Sequence, residues 1–128
     1  MLVLDASIAV EACFLRIELT AYGDLVAPPL LWPEARSVLH ELGWRGAVTT
    51  AEAQQAHGLL DGLPIERRDH PRLGAEAWRI SDELGWAKTY DAEYVALASL
   101  LGCRLVTTDG RLRRGANRLG FVIGPLEL

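Results

Sequence analysis

The sequence predicts an α/β sandwich: a central, mostly parallel sheet of four or five strands flanked by helices. Two observations predict it. Short apolar runs recur along the 128 residues, at Met1-Leu-Val-Leu4, Leu25-Val-Ala27, Leu105-Val106 and Phe121-Val-Ile123. Runs of that length are what strands buried on both faces look like. Between them lie longer stretches with apolar residues at helical spacing, each closed by glycine or proline, and that alternation builds a parallel sheet.

In chain order, the first strand ends at Asp5, and Ala6 to Phe14 reads as a short helix. Leu15 to Tyr22 is a candidate second helix, stopped by Gly23-Asp24, before the strand at Leu25 and the Pro28-Pro29 break. Leu30 to Leu42 follows as a helix with the stripe Leu31, Ala35, Val38 and Leu42, closed by Gly43. Pro33 fits there because first-turn N–H groups have no intrahelical partner. Thr49-Thr-Ala-Glu52 has capping-box spacing and opens a helix to about Leu60. Leu63-Pro-Ile65 is a short strand candidate. Pro71 opens the next helix, with the stripe Leu73, Ala77, Ile80 and Leu84 and a stop at Gly85. Asp91 to Leu101 is a helix ended by Gly102, then come the strand Arg104 to Thr108, the turn Asp109-Gly110 and a basic segment. The whole chain, 1–128, reads as a single domain.

Half the residues are hydrophobic and the net charge is −4, so a globular fold is expected and any contact with phosphate must come from a local basic patch. No apolar run nears the roughly 18 residues of a membrane span, and the N-terminus lacks a basic leader region, so neither membrane nor signal peptide is expected. Cys13 and Cys103 are far apart and lack metal-ligand spacing; they read as core residues of a reducing, cytoplasmic setting.

Four acids carry the chemistry. Asp5 and Asp109 both follow apolar strands, and in a parallel sheet ligands bind outside the strands' carboxyl ends. If the two strands are neighbours, their carboxylates lie side by side, and a raised pKa or a bound cation must offset the repulsion. Asp91 begins its helix on the stripe Asp91, Tyr94, Ala98, Leu101, over the face packed on the sheet. Glu34 lies near its helix start, about 60–70° from the stripe centre. Each acid also has a purely structural use, as helix cap, turn or dipole partner. Together at one edge they form an oxygen-only set suited to one or two Mg²⁺ or Mn²⁺ ions. The hydroxyls of Ser7, Thr107 and Thr108 are placed to hold waters or to orient those carboxylates.

These residues, in this order, resemble a PIN domain, specifically the VapC-like toxins of bacterial toxin–antitoxin pairs. The matching parts are Leu4-Asp5-Ala-Ser7, Pro29-Leu-Leu-Trp-Pro-Glu34, Tyr90-Asp91-Ala-Glu-Tyr94-Val-Ala-Leu-Ala98 and Leu105-Val-Thr-Thr-Asp109-Gly-Arg-Leu112. The resemblance implies a PIN-like three-layer sandwich in which Asp5, Glu34, Asp91 and Asp109 bind Mg²⁺ or Mn²⁺. It further implies cleavage of RNA to 5′-phosphate and 3′-hydroxyl ends, inhibition by a VapB-like antitoxin, and homodimerisation. One departure is Leu15 to Asp24, short for a region that contributes to substrate groove and antitoxin contact in the family.

Arg111, Arg113 and Arg114, with Arg118, flank the acids and are candidates for positioning phosphate; a solvated helix face is the plainer alternative. Arg67 and Arg68 read as surface, and His40, His57 and His70 as structural or exposed. Exposed members of the set Trp32, Trp44, Trp78 and Trp86 would mark a groove for a partner helix. The rivals are a non-toxin PIN nuclease of RNA processing, a catalytically silent PIN-like binding module, and a signalling receiver domain. Ala6 after Asp5 opposes the receiver, and Ser7 opposes a D-x-D phosphatase.

Overall fold

The computed structural model describes residues Met1–Leu128. Five short strands form one wholly parallel sheet in the order β3-β2-β1-β4-β5: β1 (Leu2–Leu4), β2 (Leu25–Ala27), β3 (Glu66–Arg67), β4 (Arg104–Val106) and β5 (Val122–Ile123). The helices are α1 (Ala6–Cys13), α2 (Leu31–Trp44), α3 (Thr50–Leu60), α4 (Leu73–Leu84), α5 (Tyr90–Leu101) and α6 (Gly110–Gly115). α1 packs on β1, α2 and α3, whereas α5 packs on β1, β4 and α4. The expected α/β sandwich is therefore present, with five strands.

Burial explains the sequence pattern. β1 and β2 are buried at every position, which is why they read as continuous apolar runs rather than alternating ones. α5 is buried nearly all round, from Ala92 through Ala98, because sheet and α4 cover it from two sides. The predicted capping box is formed: the Glu52 N–H donates to Thr49 Oγ1 at 3.0 Å, and the Thr49 N–H donates to Glu52 Oε1 at 3.0 Å. Gly85 and Gly102 end α4 and α5 in the left-handed region, with φ of 72° and 66°.

Several local expectations are corrected. Leu15 to Tyr22 is not a helix: only Leu19–Tyr22 forms a 3₁₀ turn. Leu15 takes φ of 59°, the position a glycine usually fills after a helix; Arg16 N–H donates to Glu11 O and Leu15 N–H to Ala12 O, closing α1. The third strand is Glu66–Arg67, not Leu63–Ile65. Along α2 the inward face is Leu31, Trp32, Ala35 and Leu39, while Val38 is exposed.

Gly43 does not stop α2, which continues to Trp44. It is a contact glycine, since a Cβ there would lie 2.8 Å from the Ala53 Cβ of α3. Gly43→Val is expected to cost about 1–3 kcal/mol through overpacking. Gly58→Ala on α3, where nothing approaches, should gain up to about 1 kcal/mol from helix propensity. Thermal unfolding of the two variants checks this pair.

Candidate active site

The strand order places β1 beside both β2 and β4, so the sheet turns outward in two directions from β1. A crevice outside the carboxyl ends at such a switch point is where open α/β sheets bind ligands. Leu4 pairs with Val106, so the next residues, Asp5 and Thr107, lie side by side at that edge. The cross-strand neighbour of Asp5 is thus a threonine, and Asp109 lies two residues farther along its chain.

Asp5 is buried and held on both oxygens. Ser7 Oγ donates to Oδ1 and Thr107 Oγ1 to Oδ2, each at 2.5 Å, and the Ile8 N–H reaches Oδ1 at 3.3 Å as the cap of α1. The hydroxyls are fixed from behind: Thr108 N–H donates to Ser7 Oγ and Asp109 N–H to Thr107 Oγ1, both at 2.9 Å. A hydroxyl has one proton. With both protons given to Asp5, the 3.3 Å contact between Ser7 and Thr107 adds no donor, and the direction of each bond is set. Thr108 lines the cleft beside Asp5, Ser7 and Asp109.

All four acids line one cleft of about 250 Å³, joined by a fifth, Glu11, that the sequence did not single out, with Val10 and Val38 as apolar neighbours. Asp109 also caps α6, accepting from the Arg111 and Leu112 N–H groups. Glu34 is half-buried in the first turn of α2. Asp91 is exposed at the tip of α5, farther toward solvent than its stripe suggested, because the helix leaves the core there.

Burial raises the pKa values of Asp5, Glu34 and Asp91. Burial pushes Asp5 up to about 6, against the hydrogen bonds from Ser7, Thr107 and Ile8, and the Asp109 charge adds to it. Burial and then the Asp91 charge push Glu34 up to about 7. Asp91 is raised by burial and by Asp109, and Arg111 opposes this. The Tyr94 hydroxyl is buried against the Glu34 carboxyl, yet it has no partner in hydrogen-bonding geometry. From the sequence, Tyr94 reads only as a member of the sheet-facing stripe; its place three residues after Asp91 on one helix face is the signal that it borders the acids.

Of the arginines proposed for phosphate, Arg111 alone lines the groove beside the acids. Arg113 is ion-paired with Glu127, Arg114 folds over Gly110, and Arg118 bonds the Glu83 carbonyl. His40 and His57 line one pocket between α2 and α3, apart from the acids, where His57 accepts from Arg36; His70 Nδ1 accepts from the Arg72 N–H. Trp44 and Trp78 are exposed, whereas Trp32 is buried under the Arg67 guanidinium, 4.5 Å from its ring.

Thr107→Val keeps the shape and removes the proton that holds Asp5 Oδ2. A lost carboxylate-orienting partner of this kind is expected to cost about 10–100-fold in metal affinity or activity. Metal titration and rate measurements on the variant check it, with circular dichroism confirming the fold.

The family model described as PIN domain matches residues 2–117. VapC ribonuclease Mb0985 of Mycobacterium bovis and Ribonuclease VapC9 of Mycobacterium tuberculosis are each 36% identical over 115 residues, covering 88% of this chain and 88% of theirs. Ribonuclease VapC3 of Mycobacterium tuberculosis is 38% identical over 88 residues, 69% of this chain and 62% of its own length. Among solved structures, PAE2754 from Pyrobaculum aerophilum superposes with a TM-score of 0.76 at 25% identity, over 98% of this chain and 90% of that one.

Proposed function

The chain belongs to the PIN-domain family and is VapC-like, and from that premise we propose that it is a metal-dependent endoribonuclease, the toxin of a toxin–antitoxin pair. The observation that carries the reading is the single cleft lined by Asp5, Glu34, Asp91 and Asp109 at the sheet's switch point. The relatives named as ribonucleases support the reaction class.

No three His, Cys, Asp or Glu side chains converge on one point; the acids ring the cleft instead. Mg²⁺ keeps several waters and takes one or two carboxylates directly. An all-oxygen ring of mutually repelling acids, with an unpartnered Tyr94 hydroxyl beside Glu34, fits such a hydrated cation. Asp5, Glu34, Asp91 and Asp109 would hold one or two Mg²⁺ or Mn²⁺ ions. When bound, the ion supplies a water acidified toward neutral pH and offsets charge building on the phosphate.

The chain's own residues do the rest. Ser7 and Thr107 hold Asp5 in one orientation, so no reorganisation is needed as the substrate arrives. Glu34, raised to about 7, releases or keeps a proton near neutral pH according to the charge beside it, and Asp91 is raised in the same direction. Hydrolysis forms a bond from water oxygen to phosphorus and breaks the bond from phosphorus to O3′, leaving 5′-phosphate and 3′-hydroxyl ends.

We read residues 1–128 as one PIN-like domain acting in the cytoplasm; no helix is long and apolar enough to cross a membrane. A VapB-like antitoxin and a second copy of the chain are the expected partners, and exposed Trp44 and Trp78 are the first places to seek their contacts. The deciding experiment is RNA cleavage with Mg²⁺, with and without EDTA. Cleavage that survives EDTA sinks the metal mechanism, and absence of cleavage under all divalent cations sinks the nuclease.

A further inference from the structure

The acid cleft does not end at the acids. It shares Glu34, Val38, Asp91 and Asp109 with a second groove of about 580 Å³, which runs on past Trp86, Lys88, Tyr90 and Arg111. Tyr90 is 57% exposed and directly precedes Asp91. Lys88 is the chain's sole lysine. Arg16, Arg36, Arg68, Arg79, Arg113 and Arg118 are tied in ion pairs, whereas Lys88 and Arg111 are in none.

The wall that carries Lys88 is braced. Gly85 turns the chain out of α4, and the Trp86 N–H bonds back to the Ser81 carbonyl at 2.8 Å. The Trp86 ring rests on Gly115 of α6, where a Cβ would lie 3.0 Å from it. Two free cations and an exposed aromatic ring thus face a groove opening onto five carboxylates, Glu11 included.

Resting on the ribonuclease reading, we propose that this groove is the path of a single-stranded RNA leaving the acid cleft. A base stacks on the Tyr90 ring, and phosphates beside the scissile one meet Lys88 and Arg111. Stacking on an exposed aromatic and cations spaced along a groove are how single strands are held without a sequence code. A base reaches Tyr90 only if unstacked, which a duplex opposes. An acidic peptide would meet the same two cations but would be repelled by the adjoining acids; phosphate at the acids is accommodated by the cation they attract.

The test uses the intact protein and a short fluorescein-labelled RNA of mixed sequence, single-stranded or annealed. Tyr90→Ala should weaken single-strand binding about tenfold, and Tyr90→Trp should restore it. Lys88→Gln should lower the slope of log affinity against log salt by about 0.7, which a merely structural change would leave in place. In cleavage assays both losses should appear in KM with kcat little changed, and annealed RNA should be indifferent to Tyr90. Wild-type affinity, salt slope and KM in both variants overturn the proposal, also where the same variants loosen a protein partner instead. If the unsubstituted protein cleaves no RNA, the nuclease reading fails and takes the strand path with it. If it cleaves RNA and the variants match it, the strand path alone fails.

Discussion

Asp5→Asn is expected to lower RNA cleavage by about 10³-fold, the scale of losing several kcal/mol of metal-supplied charge stabilisation. The side chain keeps its size, and an amide oxygen can still accept from the Ile8 N–H and Ser7, so the start of α1 should hold. The variant separates ligand from cap. If Asp5 serves only to cap α1, the amide serves nearly as well and cleavage stays near the wild-type rate. Single-turnover rates at saturating RNA, with circular dichroism as the folding control, decide it.

The metal-free protein is expected to become more stable on acidification from about pH 7.5 to about pH 5, the reverse of ordinary acid unfolding. Asp5 and Glu34 have folded pKa values of about 6 and about 7, above their ordinary 3.8 and 4.5. Between those limits the folded chain binds more protons than the unfolded one, so stability falls as pH rises and returns as pH drops. For buried Asp5 the gain reaches about 1.4 kcal/mol at pH 5 and about 3 kcal/mol only below its ordinary 3.8; Glu34, half-exposed, adds an amount reduced by solvent screening. Glu18, Glu52 and Glu76, whose pKa values are lowered by hydrogen bonds, pull the other way only below their ordinary values. A rise in Tm of at least about 5 °C is expected by thermal unfolding in EDTA. Asp5→Asn should raise the neutral-pH Tm and remove the Asp5 share of that pH dependence, leaving the Glu34 share. Mg²⁺ at about 100 times its Kd should stabilise the unsubstituted protein by about 2.7 kcal/mol and leave Asp5→Asn nearly unmoved. A Tm that falls steadily with acid between these pH values contradicts the raised pKa values.

The site was legible in the sequence wherever an acid closed a periodic element. Asp5 and Asp109 follow apolar runs, and Asp91 and Glu34 open helices, so chain position alone brings them to one edge. Register was not legible. Pairing of Leu4 with Val106 sets Thr107, not Asp109, beside Asp5, and nothing local encodes a pairing across a hundred residues. Glu66–Arg67 is a two-residue edge strand of charged residues and has no pattern to read. Gly43 reads as a helix stop because a stop and a close contact both need a missing Cβ, and only the α3 partner tells them apart. The roles of Arg113 and Arg114 depended on where their long side chains turned, which composition does not fix.

The placement of β1 between β2 and β4 also has a consequence in time. The cleft joins Asp5 to Thr107, 102 residues later, so a ribosome must synthesise everything between them before the two meet. At about 5–20 residues per second, a nascent chain goes for many seconds unable to hold Asp5 in place. An enzyme that cuts RNA would thus stay silent on the messenger and ribosome that are making it.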